Sequence, residues 1–494
     1  MKAINSDYLL AIDQGTTGSR AFVFNAKGEV VGSAYQEFRQ YFPKPGLVEH
    51  DAHEIWRSVQ MVIKSAIASI DPSRIKALGI TNQRETTVIW DKKTGRPLHK
   101  AIVWQDRRTS DVCATPRLKK HAALIARTTG LRLDPYFSAT KLQWLLEHVP
   151  VVARKAAKGQ ACFGTIDSWL LYKITGHQVH ATDMTNASRT MLFNIRGKKW
   201  DERLLRIFGI PKSMLPQVFA SGHLFGHTVA VAGLPSGIPI TAVMGDQQAA
   251  LYGQGCFKPG TIKNTYGTGC FMVLNTGNTL NISKEGLLST IACDVKGQPV
   301  YALEGSVFIA GAAVQWLRDG LKVIKQSSDT RASCGRVKDN AGVYFVPAFV
   351  GLGAPHWRPD ARGVICGLTR GSNVDHIIRA AVEAMAYQTK DVFELMRKVS
   401  TVRIRTLQVD GGASVDDILM QFQADLLGIP IKRPKQLDST VWGVAQLAGV
   451  VAGIWTAADL KVMQQEDRVF VPHMAKSLVN KMYSGWQDAV KRAF

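Results

Sequence analysis

Four stretches of the chain gather side chains able to move protons or hold phosphate. The first, "LLAIDQGTTGSRAFVF" (9–24), ends an apolar run in Asp13 and passes into a turn of Gly15, Thr16, Thr17 and Gly18, with Arg20 just beyond. Small residues let backbone N–H groups and hydroxyls close around phosphate oxygens. A carboxylate beside such a turn repels phosphate unless a cation stands between them, and Mg²⁺ is the usual one. Arg20 would add a charged phosphate donor. A polar turn with no ligand is the equal alternative. The stretch is not a P-loop, since it lacks G-x-x-x-x-G-K-[ST] and leads into a strand. The second stretch, "GDQQ" (245–248), places Asp246 at the end of an apolar run. It would accept a proton from a substrate hydroxyl or cap a helix. In the third, "TNQRETTVIWD" (81–91), Arg84 and Glu85 are consecutive. They reach one site only if the strand ends or bends there, because neighbours on a strand face opposite ways. The fourth is a pair of glycine turns, "YGTGCF" and "VDGGAS". Three small-residue turns in two halves of the chain suit a nucleotide held between two lobes.

The elements that must position these residues follow from periodicity. Tyr8–Ile12, Arg20–Asn25 and Val30–Tyr35 form an opening meander, with Phe22 and Phe24 on one face and "AKGE" as a hairpin turn. A helix is expected over about 53–70 and a buried strand over 75–83. "FGTIDSWLLYKIT" (163–175) turns helical after Asp167 as N-cap. "GIPITAVMGDQQAA" is strand then helix. The second half restarts with strand–Gly turn–strand at 260–277. A long amphipathic helix follows at 377–399, then strand, Gly turn and helix at 405–427. Two α/β domains result, 1–250 and 251–494. "HDAH" (50–53) and "HQVH" (177–180) have metal-like spacing but no third partner, and read as surface or helix-start histidines.

At 494 residues the chain exceeds one ordinary core, which supports two domains. No apolar run reaches a membrane span. Seven scattered cysteines without C-x-x-C, and no signal-peptide layout, point to a cytoplasmic protein with reduced thiols. The net charge of +22 does not make a nucleic-acid reader, because the basic clusters are short, far apart and free of interleaved aromatics. A homo-oligomer, dimer or tetramer, is the expected assembly.

Taken in order, "DQGTT", "GLVEHD", "TNQRETTVIWD", "AIVWQDRR", "DPYFSATK", "TDMTNASRTMLFN", "GDQQAALYGQ", "KNTYGTGCFM", "VPAFVGLGAPHW" and "DGGAS" resemble the FGGY carbohydrate-kinase family nearly end to end, and within it the members acting on glycerol. The resemblance implies two ribonuclease H-like domains of the actin/hexokinase/Hsp70 ATPase superfold, closing over an interdomain cleft. The reaction it implies is MgATP plus glycerol giving sn-glycerol 3-phosphate and ADP. By position, Arg84, Glu85, Tyr136, Asp246 and Gln247 would hydrogen-bond glycerol, and Trp104 and Phe271 would pack on its carbons. Asp246 would be the general base and Asp13 the Mg²⁺ carboxylate. Thr16, Thr17, Gly18 and Arg20 fall at phosphate contacts. Thr268, Gly311, Gln315, Gly412 and Asp416 fall around the phosphates and nucleoside.

Several positions depart from that pattern. Gly18 stands where Ser is common, removing a hydroxyl. Arg358 replaces a frequent acidic residue. "STVWGVAQLAG" differs from the usual "TALGAAYLAG", near the expected nucleotide. Asp416 stands for an Asn near adenine and would favour ATP over GTP, or else cap a helix. "GLPSGIPI" lacks the Arg of members inhibited by fructose 1,6-bisphosphate. A sister kinase for a larger sugar and a non-catalytic actin-like module are the competing readings. Pocket size separates the first, and the Asp246–Arg84–Glu85 set argues against the second.

Overall fold

The computed structural model of the chain describes residues 7–283, 285–358 and 360–494. It resolves into two compact units. The first comprises the chain through Phe257 together with Ser289–Ala302 and Ser439–Gln464; the second comprises Lys258–Leu288, Leu303–Asp438 and Gln465–Phe494. Where the sequence suggests a division near residue 250, the chain trades two later segments into the first unit.

The first unit is built on β1 (Tyr8–Gln14), β2 (Gly18–Asn25), β3 (Val30–Glu37), β4 (Ile75–Asn82), β5 (Gly222–His227) and β6 (Pro239–Gly245), in the order β5-β6-β4-β1-β2-β3. The opening meander is antiparallel, while β1, β4 and β6 are parallel neighbours. Register sets Asp13 opposite Thr81 and Gly245 opposite Asn82, so the three parallel strands finish level. Both sheet faces are covered. Leu10 and Ile12 of β1 join the cluster of α1 (Ala52–Ala66) and α2 (Ile166–Ile174), whereas Leu9 and Ala11 join the cluster of the Ser439–Val451 helix. That split is the period-2 alternation of a strand buried on both sides. α1 forms because Ile55, Val59, Val62, Ile63 and Ala66 recur at helical spacing, and Asp51 caps it by accepting from His53 N at 2.8 Å. α3 (Asp246–Gly253) leaves directly from β6. It meets the Ser439–Val451 helix at Gly253 and Gly443, where an added Cβ on Gly443 would stand 1.9 Å from the Ala249 carbonyl oxygen. Trp442, the bulkiest departure in "STVWGVAQLAG", packs into this unit's core against Phe24 at 5.1 Å.

In the second unit five neighbouring strands run β8-β7-β9-β10-β11: β7 (Ile262–Tyr266), β8 (Cys270–Gly277), β9 (Leu407–Asp410), β10 (Ile431–Pro434) and β11 (Glu466–Phe470). β7, β9 and β10 are parallel neighbours, with Thr265 opposite Asp410. α4 (Gly311–Asp319), α5 (Val374–Val399) and α6 (Asp417–Leu427) belong to this unit. α5 lays Ile378, Ala381, Met385, Val392, Phe393 and Met396 into its core.

Two sequence expectations are corrected. Thr165, not Asp167, stands at the N-cap of α2. Asp167 lies inside the helix, fully buried, and accepts from Thr165 and Thr182 hydroxyls; burial pushes its carboxyl up to about 7. His50 is not on the surface. It sits on a two-residue strand with no exposed area because neighbouring amides satisfy both ring nitrogens: Nε2 meets Gln40 Oε1 at 2.5 Å and Nδ1 meets Gln83 Nε2 at 3.4 Å. Burial holds it neutral, down to about 4. His180 is likewise drawn in, with Nε2 on the Phe163 carbonyl at 2.8 Å.

Candidate active site

The sharpest chemistry lies where β4 and β6 end. β4 stops at Asn82, and Glu85 takes a left-handed φ of 62°. That is a strained conformation for a residue with a Cβ. Ser138 Oγ pins the turn by donating to the Glu85 carbonyl at 2.9 Å. The bend lets both Arg84 and Glu85 turn inward, with 3% and 2% exposure. A chain of charges results. Arg189 Nε lies 2.6 Å from Glu85 Oε1, Arg84 Nε lies 3.9 Å from the same oxygen, and Arg84 Nε lies 3.2 Å from Asp246 Oδ1. Two guanidiniums and two carboxylates alternate, which is how charge survives burial. Arg84 Nη1 also donates to Gln248 Oε1 at 3.2 Å. Only the last member reaches solvent: the Asp246 side chain is 32% exposed. Gly245 occupies the N-cap of α3, so Asp246 is the first residue inside the helix rather than its cap. Its Oδ1 accepts from Gln247 N at 2.7 Å, and the helix N-terminus favours its charge. Gln247 is half-buried beside it.

Two aromatic side chains of the same unit are set edge to face, Trp104 and Tyr136 at 5.7 Å. Trp104 Nε1 donates to Thr16 Oγ1 at 3.0 Å, tying it to the hairpin. Tyr136 is held from behind by Lys141, which is fully buried and donates to the Pro135 and Tyr136 carbonyls at 2.6 and 2.7 Å. Burial lowers this ammonium to about 8, with Glu85, Asp106 and Asp134 nearby sustaining its charge. The Arg189 guanidinium carbon lies 5.7 Å from the Tyr136 ring centre, so one arginine touches both Glu85 and Tyr136.

The hairpin between β1 and β2 is closed by Gly15 N on the Gly18 carbonyl at 2.9 Å. Asp13 is half-buried at the strand end, opposite Arg20 on β2. Thr17 and Arg20 are exposed, Thr16 is half-buried and Gly18 is buried. Side-chain amides hold the hairpin: Gln83 Nε2, on the turn after β4, donates to Gln14 Oε1 at 3.0 Å, and Gln40 Nε2, just past β3, donates to the Thr16 carbonyl at 3.0 Å. Among the described residues no group of three or more His, Cys, Asp or Glu is gathered to hold a metal.

The remaining candidates lie in the second unit. Gly267–Gly269 turns between β7 and β8. Its carbonyls take up the first N–H groups of α4: Thr268 O accepts from Ala310 N at 2.9 Å and Ala312 N at 3.1 Å, and Gly267 O from Gly311 N at 3.0 Å. Gln315, one turn on from Gly311, is exposed on the same helix face, as is Thr268 on its turn. Gly412 opens a short 3₁₀ turn after β9. Asp416 caps α6, its Oδ1 accepting from Ile418 N at 2.9 Å and Leu419 N at 3.3 Å. Phe271 is half-buried on β8. Arg358 pairs with Asp360 at 2.7 Å and covers the Phe494 ring at 4.4 Å, an arrangement confined to the surface.

Sequence reasoning missed three supporting residues. Arg189 and Lys141 lie inside "TNASRTMLFN" and "DPYFSATK", where a lone cation among uncharged neighbours is the available signal. Asp183 is the third. Fully buried, it accepts from Thr185 N and Asn186 N at 2.9 Å each, and burial pushes its carboxyl up. Thr185 Oγ1 then accepts from Gly245 N at 2.9 Å, and Asn186 pairs with Asn82 at 3.0 Å. The ends of β4 and β6 therefore rest on one buried carboxylate.

This geometry meets a family pattern in both halves. The N-terminal domain of the FGGY family of carbohydrate kinases matches residues 8–253, and the C-terminal domain matches residues 262–452. The chain belongs to the FGGY family of carbohydrate kinases. This FGGY kinase is 53% identical over 490 residues to glycerol kinase 2 of Thermotoga maritima, covering 98% of each chain. It is 51% identical over 489 residues to glycerol kinase of Bacillus subtilis, covering 98% of this chain and 99% of that one. Among solved structures it is similar to Plasmodium falciparum glycerol kinase with ADP. There the TM-score is 0.94 at 36% identity, covering 99% of this chain and 98% of that one. A xylulose kinase from Lactobacillus acidophilus shares the fold at 22% identity, with a TM-score of 0.86 over 99% and 97% of the two chains. No helix among the described residues is long and apolar enough to cross a membrane.

Proposed function

We propose that this FGGY kinase transfers the terminal phosphoryl group of ATP to glycerol, giving sn-glycerol 3-phosphate and ADP. The observation that carries the reading is the buried Arg189–Glu85–Arg84–Asp246 chain, which ends in one partly exposed carboxylate at the ends of parallel strands. Ligand sites in open α/β sheets sit at such strand ends. Relatives at about half identity over nearly the whole chain, themselves glycerol kinases, give the substrate.

Glycerol has no acidic proton at neutral pH, so a base beside the attacking hydroxyl helps, and Asp246 supplies it. Arg84 and Glu85 offer a donor and an acceptor to vicinal hydroxyls, and Gln247 offers both. A site so lined rejects analogues that leave buried polar groups unpaired. Tyr136 is assigned to a glycerol hydroxyl, and Trp104 and Phe271 to the carbon face. Thr16, Thr17, Gly18 and Arg20 are assigned to the phosphates, and Thr268, Gly311, Gln315, Gly412 and Asp416 to positions around the phosphates and nucleoside. Asp13 is assigned to Mg²⁺. One carboxylate at a strand end, next to hydroxyls and, among the described residues, without a cage of further ligands, is the donor set of an ion that binds with substrate phosphates. Such an ion neutralises charge on the phosphates when bound. Phosphoryl transfer asks the protein chiefly for alignment and electrostatic stabilisation.

ADP release measured across glycerol, dihydroxyacetone, erythritol, xylulose and gluconate tests the reading. Glycerol should give the highest kcat/KM. A five- or six-carbon preference would overturn it.

A further inference from the structure

The hairpin that this reading treats as a phosphate cradle is short of one side chain, and a neighbouring strand fills the place. Gly18 opens β2, and in the β2–β3 register it pairs with Glu37 while Arg20 pairs with Tyr35. Gly18, Arg20, Tyr35 and Glu37 therefore share one face, with Tyr35 the diagonal neighbour of Gly18. A Cβ built on Gly18 would stand 2.5 Å from Tyr35 Cε2 and 2.7 Å from both Cζ and the hydroxyl oxygen. The phenol end of Tyr35 thus occupies the volume that a side chain at 18 would take. The same ring carries the Arg20 guanidinium, whose carbon is 5.6 Å from its centre. Asp13 lies across the ladder from Arg20, so carboxylate, guanidinium and phenol stand in one row over β1, β2 and β3. Tyr35 is 51% exposed, and its hydroxyl donates to Glu37 Oε1 over a long 3.4 Å. That exposure costs apolar surface on an edge strand. A structural role in the core does not explain it.

We propose that Tyr35 is a phosphate-contacting residue of the nucleotide site. Its hydroxyl replaces the one that Gly18 lacks, and its ring seats Arg20 toward the terminal phosphates of a nucleoside triphosphate. This rests on the hairpin being the phosphate cradle of an ATP-dependent kinase. Gly18 and Tyr35 act as a pair: the glycine makes the room, and the tyrosine returns a donor to it.

The test uses the full-length enzyme with Tyr35→Phe, Tyr35→Ala and the double variant Gly18→Ser/Tyr35→Ala. Loss of one hydrogen bond to a charged phosphate predicts a rise of about 10- to 100-fold in KM for ATP for Tyr35→Phe. Tyr35→Ala should rise further, and KM for glycerol should stay within about twofold. The double variant regains a hydroxyl with the Tyr35 ring no longer in its way and should recover most of the loss, which a purely structural tyrosine would not allow. Calorimetric titration with β,γ-imido-ATP and Mg²⁺ reads the same contact whatever the acceptor. If glycerol is not phosphorylated but the analogue binds more weakly to Tyr35→Phe, the acceptor is wrong and this proposal holds. Unchanged ATP KM and analogue affinity in both single variants, or no recovery in the double variant, would overturn it.

Discussion

The two units build the same five-strand core and load its ends differently. β2-β1-β4-β6-β5 and β8-β7-β9-β10-β11 match in order, with parallel neighbours at equivalent places. Even one ladder rung corresponds. Asp13 faces Thr81 in the first unit, and Thr265 faces Asp410 in the second, so the carboxylate changes strands. Both units also turn between their first two strands through glycines, at Gly15–Gly18 and Gly267–Gly269, and beyond that the likeness stops. The first unit crowds its strand ends with Arg84, Glu85, Arg189 and Asp246, held by buried partners. The second ends its strands in Gly267–Thr268–Gly269 and Gly411–Gly412, whose work is done by backbone and small side chains. On the proposed function, one architecture serves two chemistries. Dense fixed charge suits hydroxyl recognition and proton removal. Bare turns suit close approach to a flat, neutral base and its sugar.

The largest effect should come from the exposed end of the charge chain. Asp246→Asn keeps shape and helix position but loses the base, so kcat should fall by about 10²–10⁴-fold with Tm close to the parent. Steady-state ADP release checks this, and near-normal kcat would assign the proton elsewhere. Next, Arg189→Lys keeps the charge but cannot reach Glu85 and stack on Tyr136 together. KM for glycerol should rise about tenfold, while KM for ATP stays put. Equal rises in both would make Arg189 merely structural.

A third effect is pH-dependent. His50, held down to about 4 in the folded chain, titrates near 6.5 when unfolded. The unfolded state binds the proton first, so stability falls as pH drops from about 6.5 toward 4, a penalty on the order of 2 kcal/mol by pH 5. His50→Gln removes that penalty. Its Tm should fall less than the parent's between pH 7.5 and 5, and parallel slopes would refute the linkage. The smallest effect concerns Asp416. Asn can accept the same two helix N–H bonds, so Asp416→Asn should leave Tm unchanged. If Asp416 faces the base edge, removing this acceptor-only group should lower the ATP/GTP ratio of kcat/KM about threefold. No change would leave Asp416 as a cap alone.

Local signals carried much of this. Apolar runs and alternation place β1 through β4 to within a few residues, and the glycine turns mark both hairpins. The need for a bend at Arg84–Glu85 was also legible, because consecutive strand residues diverge. The supporting shell was not. Arg189 is 104 residues from Glu85, and Asp183 holds Gly245 through Thr185. No local pattern marks such pairings. His50 misled because an exposed-looking "HDAH" hides amide partners at 40 and 83. Trp442 read as a nucleotide-side change, yet its helix returns to the first unit and packs on Phe24.

The division of labour between the units is tested most directly by titrating glycerol and ADP separately into two variants by calorimetry. Arg84→Ala removes the middle of the charge chain, and Gly412→Val adds a side chain where no atom lies within 4 Å of the new Cβ, so the fold accepts it. Arg84→Ala should lose glycerol binding and keep ADP affinity within about threefold, and Gly412→Val should do the reverse. ADP binding that collapses in Arg84→Ala, or survives unchanged in Gly412→Val, would contradict the account.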